Sequence, residues 1–149
     1  MKLPEPLFAI INPVMRFLLR SPLHGLLSNS LMLITFTGRK SGKKFTTPVR
    51  YIKTGDTVRC FTAAENQWWR NLRSGARVSL LVKCQLSDYQ AQAIFDKPTD
   101  IKKQLVSYLT LFPQDAAYHD IRLNKDKSLD EKDLEHAAYN AIVVEAVPV

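Results

Sequence analysis

The chain has 149 residues, of which 46% are hydrophobic and 23% charged, and it carries a net charge of +7. This length and composition fit one folded domain over residues 1–149 and exclude disordered and collagen-like chains. Two cysteines, Cys60 and Cys84, are too few for a disulfide framework or a cysteine-rich metal site.

The positive charge is concentrated in the first part of the chain. Residues 1–85 hold 14 Lys and Arg against 3 Asp and Glu, whereas residues 86–149 hold 7 against 11. A basic first half indicates an anionic partner, which could be a phosphorylated cofactor, a nucleic acid or an anionic membrane surface.

Residues 1–30 predict an N-terminal helical segment. Asn12-Pro13 is a helix start signal and Ser21-Pro22 repeats it, so the first helix should end near Arg20. Its mostly apolar surface indicates packing against the body of the protein or, alternatively, an interfacial anchor whose Arg side chains meet lipid headgroups. No stretch fits a membrane span or a cleaved signal, so we expect a cytoplasmic location, with peripheral contact at the inner membrane face as the alternative.

From Leu31 the pattern changes to short runs of β-forming residues separated by turns. Six strands are predicted, over 31–37, 45–53, 58–63, 77–83, 86–95 and 140–147. Pro48 places the second strand at an edge or a bulge. Because short turns join successive strands, we expect a six-stranded antiparallel barrel with helices around it, in the mixed α+β class.

Three further helices are predicted between these strands. Asn66 is expected to cap a short helix over 67–72, and Pro98 opens a longer helix that runs to about Leu111. Ser128 and Glu131 have the spacing of a capping box, which predicts a helix over 129–138.

The turn between the first two strands carries the strongest binding signal, in the segment Gly38-Arg39-Lys40-Ser41-Gly42-Lys43-Lys44. Glycine lets the backbone turn so that N–H groups can converge on an anion, and guanidinium and ammonium groups beside them suit a phosphate. An ordinary solvated hairpin tip is the alternative. The spacing matches neither the Walker phosphate loop nor the dinucleotide-binding fingerprint.

A second signal is the segment Trp68-Trp69-Arg70-Asn71-Leu72. On a helix two successive side chains point about 100° apart, so one indole can face the core and the other a groove in which a planar ring could stack. Asn71 lies on nearly the same face as Trp68 and could orient a polar edge. The alternative is that both indoles only pack.

Conventional catalytic sets are absent from the sequence. The three histidines, His24, His119 and His136, lack the spacing of metal ligands, so no metal site is expected. There is no nucleophile elbow and no evident carboxylate pair. If the protein is an enzyme, we therefore expect a bound cofactor to supply the reactive group.

Three segments, in this order, resemble the deazaflavin-dependent nitroreductase family: Leu33-Ile34-Thr35-Phe36-Thr37-Gly38-Arg39-Lys40-Ser41-Gly42, Thr46-Thr47-Pro48-Val49 and Trp68-Trp69-Arg70-Asn71-Leu72. The resemblance runs from about residue 21 to residue 95. It implies a split β-barrel that binds the deazaflavin coenzyme F420 or, in related groups, FMN, other flavins or a tetrapyrrole such as haem. It also implies hydride transfer from the reduced cofactor to a planar apolar acceptor such as a quinone or a nitroaromatic.

The resemblance also assigns roles to residues of this chain. The implied cofactor-binding residues are Arg39, Lys40, Ser41, Lys43, Thr47, Pro48, Trp68 and Asn71, and the implied substrate contacts are Trp69 and Tyr118. The chain departs from the family pattern at two places. Phe45 stands where the family often has Arg, and the loop over 63–67 is short.

Two other functions are consistent with the sequence. A non-catalytic carrier of a flavin, tetrapyrrole or lipid could use the same barrel, and the short loop favours it. A nucleic-acid binder would use the basic half and the two indoles as a charged stacking groove. One hairpin explains much of that charge, so we expect no nucleic-acid partner. No sequence feature decides the oligomeric state.

Overall fold

The computed structural model describes residues 31–83 and 85–149, so the predicted N-terminal helix and Cys84 lie outside the described residues. Six antiparallel strands form a closed barrel in the order β1-β2-β3-β6-β5-β4. They are β1 (Leu31–Thr37), β2 (Lys44–Thr54), β3 (Thr57–Ala63), β4 (Ala76–Val82), β5 (Gln85–Ile94) and β6 (Ala141–Pro148). The predicted antiparallel split barrel of mixed class is confirmed.

Alternation along the strands divides the barrel into an inner and an outer face. The inner face supplies one hydrophobic core, to which every strand contributes. Its strand members are Met32, Ile34, Phe36, Tyr51, Val58, Cys60, Val78, Leu80, Tyr89, Ala91, Ala93, Ile142, Val144 and Ala146. A first 3₁₀ helix (Trp68–Leu72) adds both tryptophans and Leu72 to this core.

A second core lies on the outer face of the barrel. Phe61 of β3 and Val143 of β6 pack there against α1 (Pro98–Leu111), a second 3₁₀ helix (Pro113–His119) and α2 (Glu131–Asn140). The limits of α1 are confirmed, whereas the second 3₁₀ helix was not predicted. No helix within the described residues is long and apolar enough to cross a membrane.

Two predicted helix caps are wrong. The helix α2 is capped by Asp130, whose side chain accepts a hydrogen bond from the Asp133 N–H at 2.9 Å, so it begins two residues beyond the start predicted from Ser128 and Glu131. The first 3₁₀ helix has no side-chain cap, because Asn66 uses its amide for contacts elsewhere.

The closed barrel has one gap, where β2 and β3 are hydrogen-bonded along only part of their lengths. β2 pairs with β1 over residues 31–37 and 44–50, but it pairs with β3 only over 51–54 and 57–60. Residues 44–50 of β2 and 61–63 of β3 therefore diverge, and we call this opening the split. Pro48 lies here, where β2 is an edge, which confirms the prediction made from its missing N–H.

Candidate functional site

The turn between β1 and β2 is a compact hairpin with two short backbone hydrogen bonds. Gly38 donates to the Lys43 carbonyl at 2.7 Å, and Gly42 donates to the Gly38 carbonyl at 2.9 Å. Gly42 has a φ of +70°, a left-handed conformation that glycine adopts without strain. The Lys43 N–H donates to the Ser41 hydroxyl at 3.2 Å. These contacts fix the direction in which the basic side chains leave the turn.

The hairpin is joined to the first 3₁₀ helix by one side chain. The Arg39 N–H donates to Oδ1 of Asn71 at 2.8 Å, and Nδ2 of Asn71 donates to the Trp68 carbonyl at 2.9 Å. The two segments singled out in the sequence therefore meet in the structure. Both the oxygen and the nitrogen of the Asn71 carboxamide take part in these contacts. A polar contact between Asn71 and a cofactor stays a prediction.

The expectation that backbone N–H groups of the hairpin converge on an anion is wrong for four of them. Those of Gly38, Arg39, Gly42 and Lys43 all donate to acceptors within the chain. An anion would instead meet side chains, because Arg39, Lys40, Lys43 and Lys44 are exposed. Among the ion pairs of residues 31–83 and 85–149, none involves these four side chains, so no carboxylate in that part of the chain neutralises their positive potential.

A row of aromatic rings leads from the hairpin into the barrel. Phe45, which is 47% exposed, stacks on Phe36 with ring centroids 5.9 Å apart, and Phe36 contacts Trp68 at 5.8 Å. Phe36 and Trp68 are both buried. Of these three rings, Phe45 alone offers a large surface to solvent, and it directly follows the basic turn in the chain.

Both indoles are buried, so the expectation that one of them faces a groove is wrong. Trp69 packs against Phe95 with ring centroids 5.6 Å apart, and its Nε1 donates to the Ala64 carbonyl at 3.2 Å. The Arg70 guanidinium lies 4.8 Å from the Trp69 ring and also donates to the Ala64 carbonyl, at 3.4 Å. These contacts brace the short loop over 63–67 against the first 3₁₀ helix.

Thr47 and Pro48, both among the implied cofactor-binding residues, lie on opposite faces of β2. Thr47 pairs with Ile34 on the inner face, and Pro48 pairs with Leu33 on the outer face. The structure therefore does not bring their side chains together. Thr47 is 5% exposed, and its hydroxyl has no hydrogen-bond partner among the described residues. A buried hydroxyl without a partner is costly, and it is a reason to expect a ligand atom beside it.

At the other border of the split, a hydrogen-bonded group brings Tyr118 to the end of β3. Asn66 donates from Nδ2 to the Thr62 hydroxyl at 2.8 Å and to the Tyr118 hydroxyl at 2.8 Å. Tyr118 belongs to the second 3₁₀ helix, 52 positions along the chain. Sequence reasoning missed Thr62 and Asn66 as site residues. The sequence offered one signal, which was the polar side chain of Asn66 within the short loop over 63–67.

A clamp made of Arg50, Asp115 and Tyr108 holds the second 3₁₀ helix against β2. The Arg50 guanidinium donates to the Asp115 carboxylate at 2.5 Å and lies 4.8 Å from the ring of Phe112. The Tyr108 hydroxyl donates to the same carboxylate. Burial, the hydrogen bond to Asp115 and the charge of Asp115 raise the pKa of Tyr108. The clamp fixes the helix that carries Tyr118, and sequence reasoning did not find it.

Comparison with protein families gives one match over most of the chain. A family model described as F420H(2)-dependent quinone reductase matches residues 21–128. A comparison with curated proteins gave no match.

Similar solved structures share the fold at low sequence identity. One, from Listeria innocua and provisionally described as a pyridoxamine 5'-phosphate oxidase, is 10% identical, with a TM-score of 0.50 and 93% of each chain covered. Another, from Bacteroides thetaiotaomicron and provisionally described as a 5-nitroimidazole antibiotic resistance protein, is 12% identical, with a TM-score of 0.52; 84% of this chain and 76% of that one are covered. A structure described as an F420-H2 dependent reductase is 19% identical, with a TM-score of 0.48 and coverage of 79% and 96%. The first two matches show the fold alone.

Proposed function

Because the chain belongs to the F420H(2)-dependent quinone reductase family, we propose that it is an oxidoreductase that passes a hydride from the reduced deazaflavin coenzyme F420 to a quinone. The observation that carries the proposal within this chain is the contact between Arg39 and Asn71. It joins an exposed cationic turn, which forms no ion pair with the described residues, to an aromatic row at the same end of the barrel. A cofactor with a planar ring and an acidic tail needs both surfaces side by side.

The residues present fit such a cofactor. Arg39, Lys40 and Lys43 are exposed cations that would bind phosphate or carboxylate groups of the tail, with the Ser41 hydroxyl beside them. The ring would lie toward the split, where Thr47 offers a buried hydroxyl to which residues 31–83 and 85–149 supply no hydrogen-bond partner. Because the backbone of the hairpin is fixed by its own hydrogen bonds, the turn itself loses little conformational freedom on binding, and the cost of ordering falls on the side chains.

Aromatic residues would form the apolar side of this site. Phe45 would cover the ring from the hairpin side, since it is exposed and stacked on Phe36. Trp68 is buried behind Phe36, so we propose that it supports the site through that ring. Bound F420 in its reduced form supplies the hydride. The protein would hold the acceptor against the ring of the cofactor and exclude water from both.

The acceptor would enter from the split. Tyr118 borders the split through its hydrogen bond with Asn66, and Trp69 shapes the same end of the barrel from a buried position. We propose that Tyr118 contacts the acceptor directly and that Trp69 acts through packing against Phe95.

We also propose a cytoplasmic location with peripheral membrane contact through residues 1–30. Removing residues 1–20 should then lower turnover of a long-tailed quinone more than turnover of a soluble quinone, because only the former must be drawn from lipid. Equal loss on both substrates would contradict the membrane contact and leave the reductase proposal standing.

The reductase proposal is tested by anaerobic turnover with menadione, a soluble quinone. The purified protein is mixed with reduced F420 or reduced FMN, and return of the oxidised cofactor's absorbance is followed. We expect protein-dependent oxidation of F420 and its binding at micromolar concentration or tighter. Turnover with FMN alone would contradict the choice of cofactor, and F420 binding without turnover of any quinone would indicate the carrier function.

A further inference from the structure

We infer that Asn66 is a positioning residue, which orients the Tyr118 hydroxyl so that Tyr118 donates its hydrogen to a carbonyl oxygen of the acceptor. The inference rests on the proposed function for the identity of that acceptor, a quinone. It assigns a role to a loop residue that the sequence presented only as a helix cap.

The direction of the hydrogen bonds carries the inference. A carboxamide nitrogen can only donate, and Asn66 uses Nδ2 toward two hydroxyl oxygens, those of Thr62 and Tyr118, at 2.8 Å each. Tyr118 therefore accepts from Asn66 and keeps its own hydrogen for a third group. Among the hydrogen bonds of the described residues, Tyr118 donates none. The hydrogen is available to a ligand.

Asn66 is held firmly enough to impose this direction. It is 7% exposed, so water competes little for its amide, and its backbone N–H donates to the Ala63 carbonyl at 3.0 Å. Trp69 and Arg70 both donate to the next carbonyl, that of Ala64. A side chain supported in this way fixes the group it contacts better than a mobile loop residue would.

The hydroxyl groups that border the split indicate the class of ligand. Tyr118 lies at the β3 border with a hydrogen to donate, and Thr47 lies on β2, buried and without a hydrogen-bond partner in the part of the chain that the structure describes. A quinone carbonyl oxygen has lone pairs and no hydrogen, so it is matched by hydroxyl donors. When the hydride arrives, negative charge develops on that oxygen, and a donor already aimed at it stabilises the charge.

The test inverts the hydrogen bond with a nearly isosteric change. In Asn66→Asp the carboxylate can only accept, so the Tyr118 hydrogen turns toward residue 66 and away from the acceptor. We expect kcat for menadione to fall about tenfold or more, to the level of Tyr118→Phe, while the affinity for F420 stays within about twofold. The double variant Asn66→Asp/Tyr118→Phe should be no slower than either single variant. Asn124→Asp and Tyr139→Phe, at exposed positions, are the matched controls and should behave as the unaltered protein does.

Calorimetric titration without F420 gives a readout that does not depend on turnover. The unaltered protein should bind menadione about tenfold more tightly than 2-methylnaphthalene, which has no carbonyl, and both Asn66→Asp and Tyr118→Phe should lose this preference. If circular dichroism shows that Asn66→Asp does not fold, Asn66→Ala removes the donor without adding an acceptor and should cut the preference about threefold.

The outcomes separate the inference from the function. If the unaltered protein prefers menadione to 2-methylnaphthalene, the variants Asn66→Asp and Tyr118→Phe lose that preference and no quinone is turned over, the reductase function is refuted and the inference is supported. If Asn66→Asp keeps the preference and the kcat of the unaltered protein, the inference is overturned and the reductase function stands. An unaltered protein that binds both ligands equally would also overturn the inference.

Discussion

The Arg39 N–H and the Asn71 side chain form a hydrogen bond of 2.8 Å across 32 positions of sequence. Through the second half of its carboxamide, Asn71 also holds the Trp68 carbonyl at 2.9 Å. One side chain thus sets the position of the basic turn relative to the aromatic row. The two surfaces proposed to hold the cofactor are therefore not independent of each other.

Replacing Asn71 with Ala should loosen the turn without removing any charge. The Arg39 N–H would lose its acceptor, at a cost of about 1 kcal/mol in the free energy of unfolding. Faster hydrogen exchange of the Arg39 amide by NMR would show the loss directly. Affinity for F420 should fall as well, because the cations must then be ordered on binding. Asn71→Asp keeps an acceptor for Arg39 and should protect that amide; equal exchange in both variants would contradict the positioning role.

Removing cations from the turn should weaken cofactor binding in a salt-dependent manner. Arg39→Ala/Lys40→Ala deletes two exposed charges that pair with no carboxylate in the described part of the chain, so little folding energy should be lost. We expect the Kd for F420 to rise about tenfold at low salt, and the difference to shrink as salt is added. Lys125→Ala/Lys132→Ala removes the same charge from exposed positions elsewhere and is the control. An equal loss in both double variants would point to net charge alone.

The strands were predictable because their pattern is local. Each strand begins and ends within one residue of its predicted limits, since β-forming runs are separated by glycine and polar turns. The caps were less predictable, because several polar residues near a helix start compete for the same N–H groups. Ser128 has the residue type of a cap for α2, but its N–H and hydroxyl both donate to Asp126 in the preceding turn, and Asp130 caps the helix instead.

The site was only half predictable, for a physical reason. The hairpin and the Trp68–Leu72 segment each carry their own signal, but their contact through Asn71 is a long-range hydrogen bond with no local pattern. Thr62 and Asn66 acquire meaning only when the second 3₁₀ helix delivers Tyr118 to them. Burial of both indoles likewise depends on rings, Phe36 and Phe95, that are distant in sequence.

The Cys60 thiol should be inert in the folded protein. It lies fully buried in the barrel, and burial raises its pKa to about 12. At about pH 8 only about one such thiol in ten thousand is ionised, and the reagent has no access to it. In Cys84→Ser, a thiol reagent that forms a mixed disulfide should label almost nothing until denaturant is added, and then one thiol per chain. Rapid labelling of the Cys60 thiol of this variant in the absence of denaturant would show that the barrel opens.

The clamp at Tyr108 should make the protein less stable at high pH. Its phenol has a pKa raised by burial, by the hydrogen bond to Asp115 and by the charge of Asp115, so the folded form keeps a proton that the unfolded chain releases near its usual pKa of about 10. Above that pH the unfolded state binds fewer protons, and the free energy of unfolding falls by up to about 1.4 kcal/mol per pH unit from this group. Below it, Tyr108 adds no pH dependence.

Tyr108→Phe isolates this contribution. The variant should be less stable by about 1–3 kcal/mol near neutral pH, because a buried hydrogen bond to a carboxylate is lost. Its stability should then fall less steeply than that of the unaltered protein from about pH 10 upward, as urea unfolding at a series of pH values would show.

Tyr51, whose pKa is also raised by burial, is present in both proteins and cancels in the comparison. Tyr139→Phe, at a position 75% exposed, should give the slope of the unaltered protein. If the free energy of unfolding falls equally steeply with pH in Tyr108→Phe and in the unaltered protein, burial and Asp115 have no effect on the ionisation of Tyr108. The folded form would then not hold the Tyr108 proton.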